Sequence, residues 1–131
     1  MAEPTFTYDV DVGKRLITLR LIGREPSAHY AEQIVAMYRA VPEVWRYNRL
    51  VDHRKFHGLI VLDDLRQMSA AWQAVAAGQD AHPRIAFLTR NPLTHARTAA
   101  HGDVFPGQTR RAFTSVADAM AWLMEETPGA T

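Results

Sequence analysis

Beyond Gly23 the chain alternates between short apolar runs and longer stretches of helical periodicity, and this alternation constrains the fold more than any other feature. A strand that runs through a helix into another strand returns as a parallel neighbour, so such a chain is driven toward a mostly parallel sheet with helices laid against it. The first helical stretch opens at Pro26 and Ser27 and repeats Tyr30, Ile34, Met37, Tyr38 and Val41 on one face. Pro42 stops it, because proline cannot donate to the helical ladder and disfavours helical geometry in the residue before it. Arg49 to Asp52 then reads as a short buried strand ending in a polar loop, His53-Arg54-Lys55-Phe56-His57-Gly58.

Asp63 is a natural N-cap for a second helix carrying Leu65, Met68, Trp72, Val75 and Ala76, which Gly78 and Pro83 close. Arg84 to Thr89 is an apolar run of the kind found in a fully buried parallel strand. Asn91 and Pro92 suit the cap and first turn of a third helix packing Leu93, Ala96 and Ala100. A turn-rich connection from Gly102 to Gln108 leads to a last strand, Arg110 to Thr114. Ser115 with Asp118 approximates a capping box for a final helix striped by Val116, Ala119, Met120 and Leu123, and Pro128-Gly129 marks a frayed tail.

Ahead of these units, Thr5 to Val12 alternates, with Phe6, Tyr8, Val10 and Val12 on one face. Gly13-Lys14 supplies a turn into Leu16 to Ile22, so the chain starts with a hairpin whose first strand is antiparallel at or near an edge. The order is ββαβαβαβα: an α/β fold with a mixed, mostly parallel sheet of four or five strands flanked by about four helices, each crossover right-handed. At 131 residues, with no linker, repeat or low-complexity segment, residues 1–131 are expected to form a single domain.

Composition narrows function mainly by exclusion. The 15 basic and 14 acidic residues nearly cancel, which removes the broad positive field that would make nucleic acid or an anionic membrane the default partner. With no cysteine, disulfides, thiolate metal sites and thiol nucleophiles are ruled out. The acidic start Met1-Ala2-Glu3-Pro4-Thr5 does not resemble a signal peptide, and the apolar runs fall far short of the roughly 20 residues of a membrane span, so a cytoplasmic location is expected.

The string Arg111-Ala112-Phe113-Thr114-Ser115-Val116-Ala117-Asp118-Ala119-Met120-Ala121-Trp122-Leu123 resembles the C-terminal signature of small bacterial STAS/SpoIIAA-like proteins, a strand ending in Phe before a helix with an Ala-x-x-Trp-Leu block. Leu50-Val51-Asp52, Gly58 and Asp64-Leu65 look like that superfamily's central strand, loop and second helix, and Ile85-Ala86-Phe87 with Ala96-Arg97 like its next strand-helix unit. The likeness covers roughly residues 5 to 125. It implies a SpoIIAA-like sheet related to anti-sigma factor antagonists and, more distantly, to CRAL-TRIO lipid-transfer domains. In true antagonists a phosphorylatable serine stands at the start of the second helix. No serine or threonine occurs from Val51 to Gln67 here, so the phosphoswitch is not carried over.

No set of residues amounts to a catalytic site. Asp52, His53 and His57 come nearest to a metal site, but the segment reads as loop, where they are solvated residues rather than ligands. His29, His82, His95 and His101 are scattered, with no serine nucleophile and acid in a local pattern. Arg97 reads either as an ion-paired surface residue or as an anion or partner contact, with Asp52 as companion toward the carboxyl ends of the strands. Trp45, Trp72 and Trp122 read as packing anchors, while Tyr30, Met37, Tyr38, Met68 and Trp72 form an adaptable apolar surface if their helices are less covered than the period suggests. The expectation is a non-enzymatic binding or regulatory domain without cofactor or metal. It would act through a protein partner or as a homodimer, using the second and third helices and the loop with Asp52, His53, His57 and Gly58. A small carrier of an apolar or lipid-like ligand is the alternative.

Overall fold

The computed structural model describes residues 4–100 and 104–125. The readings on His101, residues 102 and 103 and the tail, and on the side chains of His95 and Ala100, lie outside what is described. Strands β1 (Thr5–Asp11) and β2 (Leu16–Gly23) form the expected hairpin. They are followed by α1 (Ser27–Ala40), a 3-10 turn at Val44–Arg46, β3 (Asn48–Phe56), α2 (Leu62–Val75), β4 (Arg84–Leu88), α3 (Pro92–Ala100), β5 (Thr109–Phe113) and α4 (Val116–Met124). The five strands lie in the order β1-β2-β3-β4-β5, with β1 antiparallel and the remainder parallel.

This order never reverses direction, so right-handed crossovers carry α1, α2 and α3 to the same face of the sheet. Against that face lies the larger core, in which Ile17, Leu19, Val51, Ile85 and Phe87 of the sheet meet Tyr30, Ile34, Tyr38, Leu65, Met68 and Trp72 of α1 and α2. No crossover follows β5, and α4 folds onto the opposite face, where Ala119 and Leu123 pack on Leu16, Leu50, Ala86, Leu88 and Phe113. Its C-terminal carbonyls are capped from the sheet: Asn48 Nδ2 donates to Leu123 O at 2.9 Å and Arg84 to Trp122 O at 2.7 Å. The Ser115 half of the capping box forms, with Oγ accepting from Asp118 N.

Four local expectations are corrected. β3 continues to Phe56 rather than ending at Asp52, because its pairing with β2 resumes after an irregularity: Arg20 faces Asp52 but Ile22 faces Lys55, so β3 carries one extra residue. That bulge interrupts the period of two and makes the segment read as loop. Helix α2 starts at Leu62 with Val61 in the cap position, leaving Asp63 and Asp64 in its first turn, where they favour the helix dipole without capping it. On α3 the supposed packed residues Leu93 and Ala96 are exposed, and Thr94 and Arg97, three apart, form the half-buried side. Tyr8 and Val12 are also exposed, although Phe6 and Val10 pack on the core as read.

The hairpin turn closes with Arg15 N donating to Val12 O, and Arg15 itself, not Gly13, takes the left-handed conformation at φ 50°. A side chain there costs on the order of 1 kcal/mol. Arg15→Gly is therefore expected to raise stability by about 0.5–1 kcal/mol, visible as a higher urea midpoint. An unchanged or lower midpoint contradicts the strain.

Candidate binding site

A cleft of about 120 Å³ runs between the sheet and the helices on its crowded face, open toward the segments that follow β3 and β4. Its apolar walls come from Ile34 and Met37 of α1, Leu65 and Met68 of α2, and Ile85 and Phe87 of β4. Among the described residues its charges are all of one sign: Arg49, Arg97 and Arg110 line it, and no described aspartate or glutamate does. Arg49 and Arg110 each stand opposite Ile85 in the parallel register, on the neighbouring strands to either side. With neighbouring strands about 4.8 Å apart, their backbones are separated by about 10 Å on one rung of the sheet.

Arg49 is 3% exposed. Its guanidinium carbon lies 4.9 Å from the Trp72 ring centre and 5.1 Å from that of Tyr38, so the charge rests on aromatic faces. One guanidinium nitrogen, Nη1, has no hydrogen-bond partner. Burial holds its pKa below the ordinary arginine range, opposed by the Tyr38 and Tyr30 hydroxyls. Arg110 stacks 3.8 Å from the Phe105 ring centre and 4.5 Å from that of Phe87. Although the residue as a whole is half-buried, desolvation of the guanidinium pulls its pKa down to about 10, and Arg49 contributes in the same direction. Among the described residues neither arginine makes an ion pair.

At the mouth, the β3 bulge sets the arrangement. His53 shares the face of Val51, and the extra residue brings Phe56 back to that face beside Gly23. The two rings sit 5.0 Å apart and both touch Tyr30. Tyr30 and His53 are joined by a 2.9 Å hydrogen bond between the hydroxyl and Nε2, while His53 Nδ1 is buried without a partner. Burial, aided by the Arg110 charge, depresses the His53 pKa to about 4 and leaves the ring neutral near pH 7. Gly58 is required by packing: a Cβ there would lie 2.7 Å from Phe56 Cζ and 3.2 Å from Glu25 O.

Of the five residues singled out from sequence, His53, Gly58 and Arg97 line the cleft. His53 is buried in a strand rather than solvated in a loop. Asp52 points to the opposite face of the sheet, so it cannot be the companion of Arg97. It is held by Arg54 through bonds of 3.0 and 2.9 Å, with Arg20 at 3.7 Å. Burial works to raise its pKa, but the Arg54 hydrogen bonds and the two cations outweigh it and keep the carboxyl ionised below its usual range. His57 is exposed in a shallow groove with Arg24, Glu25 and Ser27. Among the described residues no group of three metal-ligating side chains comes together, and no helix is long and apolar enough to cross a membrane.

Arg49 and Arg110 were not singled out. The signal was present in period two, which puts Arg49 on the face of Val51 and Arg110 on the face of Ala112. Tyr30, Met37, Tyr38, Met68 and Trp72, read as a surface if uncovered, are all buried, and Trp72 is the floor under Arg49. Trp45 and Trp122 are half-buried anchors, the latter against Phe113 and Arg84.

No family model and no curated sequence matches the chain. Among solved structures it is similar to an uncharacterized protein of the DUF3478 family with a SpoIIAA-like fold from Shewanella loihica PV-4, at 14% identity and a TM-score of 0.61, over 94% of this chain and 97% of that one. It is also similar to an anti-sigma factor antagonist from Mycobacterium paratuberculosis, at 11% identity and a TM-score of 0.56, over 94% and 96% of the two chains. These likenesses establish a SpoIIAA-like α/β fold.

Between its unfolded pKa near 6.5 and its folded value near 4, His53 binds a proton in the unfolded chain but not in the native one, so native stability falls as pH drops through this window. The contribution is at most about 3 kcal/mol. His53→Gln removes it, so the stability of the variant relative to the parent is expected to improve between pH 7 and pH 4, measured by urea unfolding. Parallel pH profiles for the two proteins contradict a neutral buried His53.

Proposed function

We propose that the chain is a non-catalytic regulatory binding domain that docks a protein partner over the mouth of the cleft. The observation that carries this reading is the apolar collar there. Leu59 is 51% exposed and Leu93 is 57% exposed, both line the opening, and Val61 and Leu62 extend the patch into the start of α2. Large apolar side chains clustered on the segments after two parallel strands have no stabilising role in the isolated chain and are typical of interaction surfaces. The Ser27 hydroxyl accepts from Val61 N at 2.9 Å and fixes the collar to the start of α1. The fold shared with an anti-sigma factor antagonist supports regulation through protein contact as the mode of action. The missing serine and threonine between Val51 and Gln67 mean that any control differs from phosphorylation of this loop. A lipid-like cargo is disfavoured by the cleft volume, about 120 Å³ against the roughly 300 Å³ or more that such ligands occupy.

A photo-crosslinking residue in place of Leu59, expressed in the source cell, is expected to give one discrete protein adduct that disappears when Leu93→Asp is added. An adduct at twice the chain mass identifies the partner as a second copy. No adduct beyond that obtained with the same residue at the exposed Gln79 contradicts the docking surface.

A further inference from the structure

We propose that the cleft beneath the collar binds a small organic acid, a carboxylate on a compact aromatic or branched apolar body, with the carboxylate held between Arg49 and Arg110. This site is separate from the docking of a partner at the rim and stands or falls independently of it.

A buried guanidinium nitrogen without an acceptor is costly, and native proteins leave few such groups unsatisfied unless a ligand or ion completes them. Arg49 Nη1 is such a group, 3% exposed and lining the cleft. His53 also lines the cleft, and its Nδ1 is a second buried atom without a partner. The sheet register holds Arg110 on the same rung with Ile85 between, and Arg97 stands at the cleft wall on α3. Three arginines thus line one cleft, with no carboxylate among the described lining residues to neutralise them. An anion placed between two fork-shaped guanidiniums gains paired, charge-assisted hydrogen bonds.

The remaining surface selects the body that carries the anion. Ile34, Met68, Ile85 and Phe87 supply apolar contacts away from the arginines, beside the polar Tyr30, Tyr38, His53, Asn91 and Thr94, which favours an acid with an apolar body over a bare hydrated ion such as inorganic phosphate. The volume of about 120 Å³ is close to the roughly 150 Å³ apolar cavity that accepts benzene, so a single ring or a short branched chain is the size that fits.

Benzoate is the probe, followed through the indole N–H resonance of Trp72, whose ring lies under Arg49. A saturable shift is expected with benzoate, with binding weaker by about tenfold or more for the neutral analogue benzyl alcohol. Arg110→Gln is expected to weaken benzoate by a similar factor while leaving the melting curve two-state. Arg49→Lys serves as a second variant, keeping the charge but losing the fork, and is expected to weaken benzoate less than Arg110→Gln. Equal binding of benzyl alcohol and benzoate overturns the proposal, since the cleft is then only apolar. Saturation by inorganic phosphate without a response to benzoate also overturns it, in favour of a bare oxyanion site, as does the absence of any saturable shift at millimolar benzoate.

Discussion

Everything on the crowded face of the sheet follows from the unreversed strand order β1-β2-β3-β4-β5. With no change of direction there is no switch point, the place where open α/β sheets usually part their helices and receive a ligand. Three crossover helices must instead share one face. Helices α1 and α2 pack on each other, α3 packs on β5, and the short segment carrying Phe105 fills part of the space between them. What remains unfilled is the cleft. The cleft is thus what helix packing leaves open on one face, and the opposite face, served by α4 among the described helices, is closed by apolar contacts and carbonyl caps.

Electrostatics distinguish this cleft from an ordinary packing defect. A buried arginine without a carboxylate loses hydration that is worth several kcal/mol, and cation–π stacking returns about 1–2 kcal/mol for each well-placed ring. Arg49 between Tyr38 and Trp72, and Arg110 between Phe87 and Phe105, receive that partial compensation. The same rings hold each guanidinium in place, so the charge is fixed in direction before anything binds. Two of the described acids are committed elsewhere: Asp52 to Arg54 and Arg20 on the far face, and Glu25 to His29.

Strand and helix order were legible because proline, glycine and periodicity marked nearly every element, and the chain's likeness to the SpoIIAA-like fold was visible in the Phe113 to Leu123 block. The site was only half legible. His53, Gly58 and Arg97 stood out by residue type, yet the shape of the cleft around them depended on a bulge and on helix α3 turning Thr94 and Arg97 inward, neither of which leaves a mark in a single sequence. Arg49 and Arg110 were masked by a sound general rule, that arginine is rarely buried. Asp52 and Arg97 seemed natural partners because both belong near strand ends. Alternation along β3 puts them on opposite sides of the sheet.

The extra residue in β3 has a consequence of another kind. Because it resets the alternation of the residues after it, straightening the strand with no change in length would turn Lys55 toward the mouth in place of Phe56, whereas deleting the extra residue leaves Phe56 there. Which side chain the end of the strand shows at the entrance thus depends on whether the odd residue stays looped out.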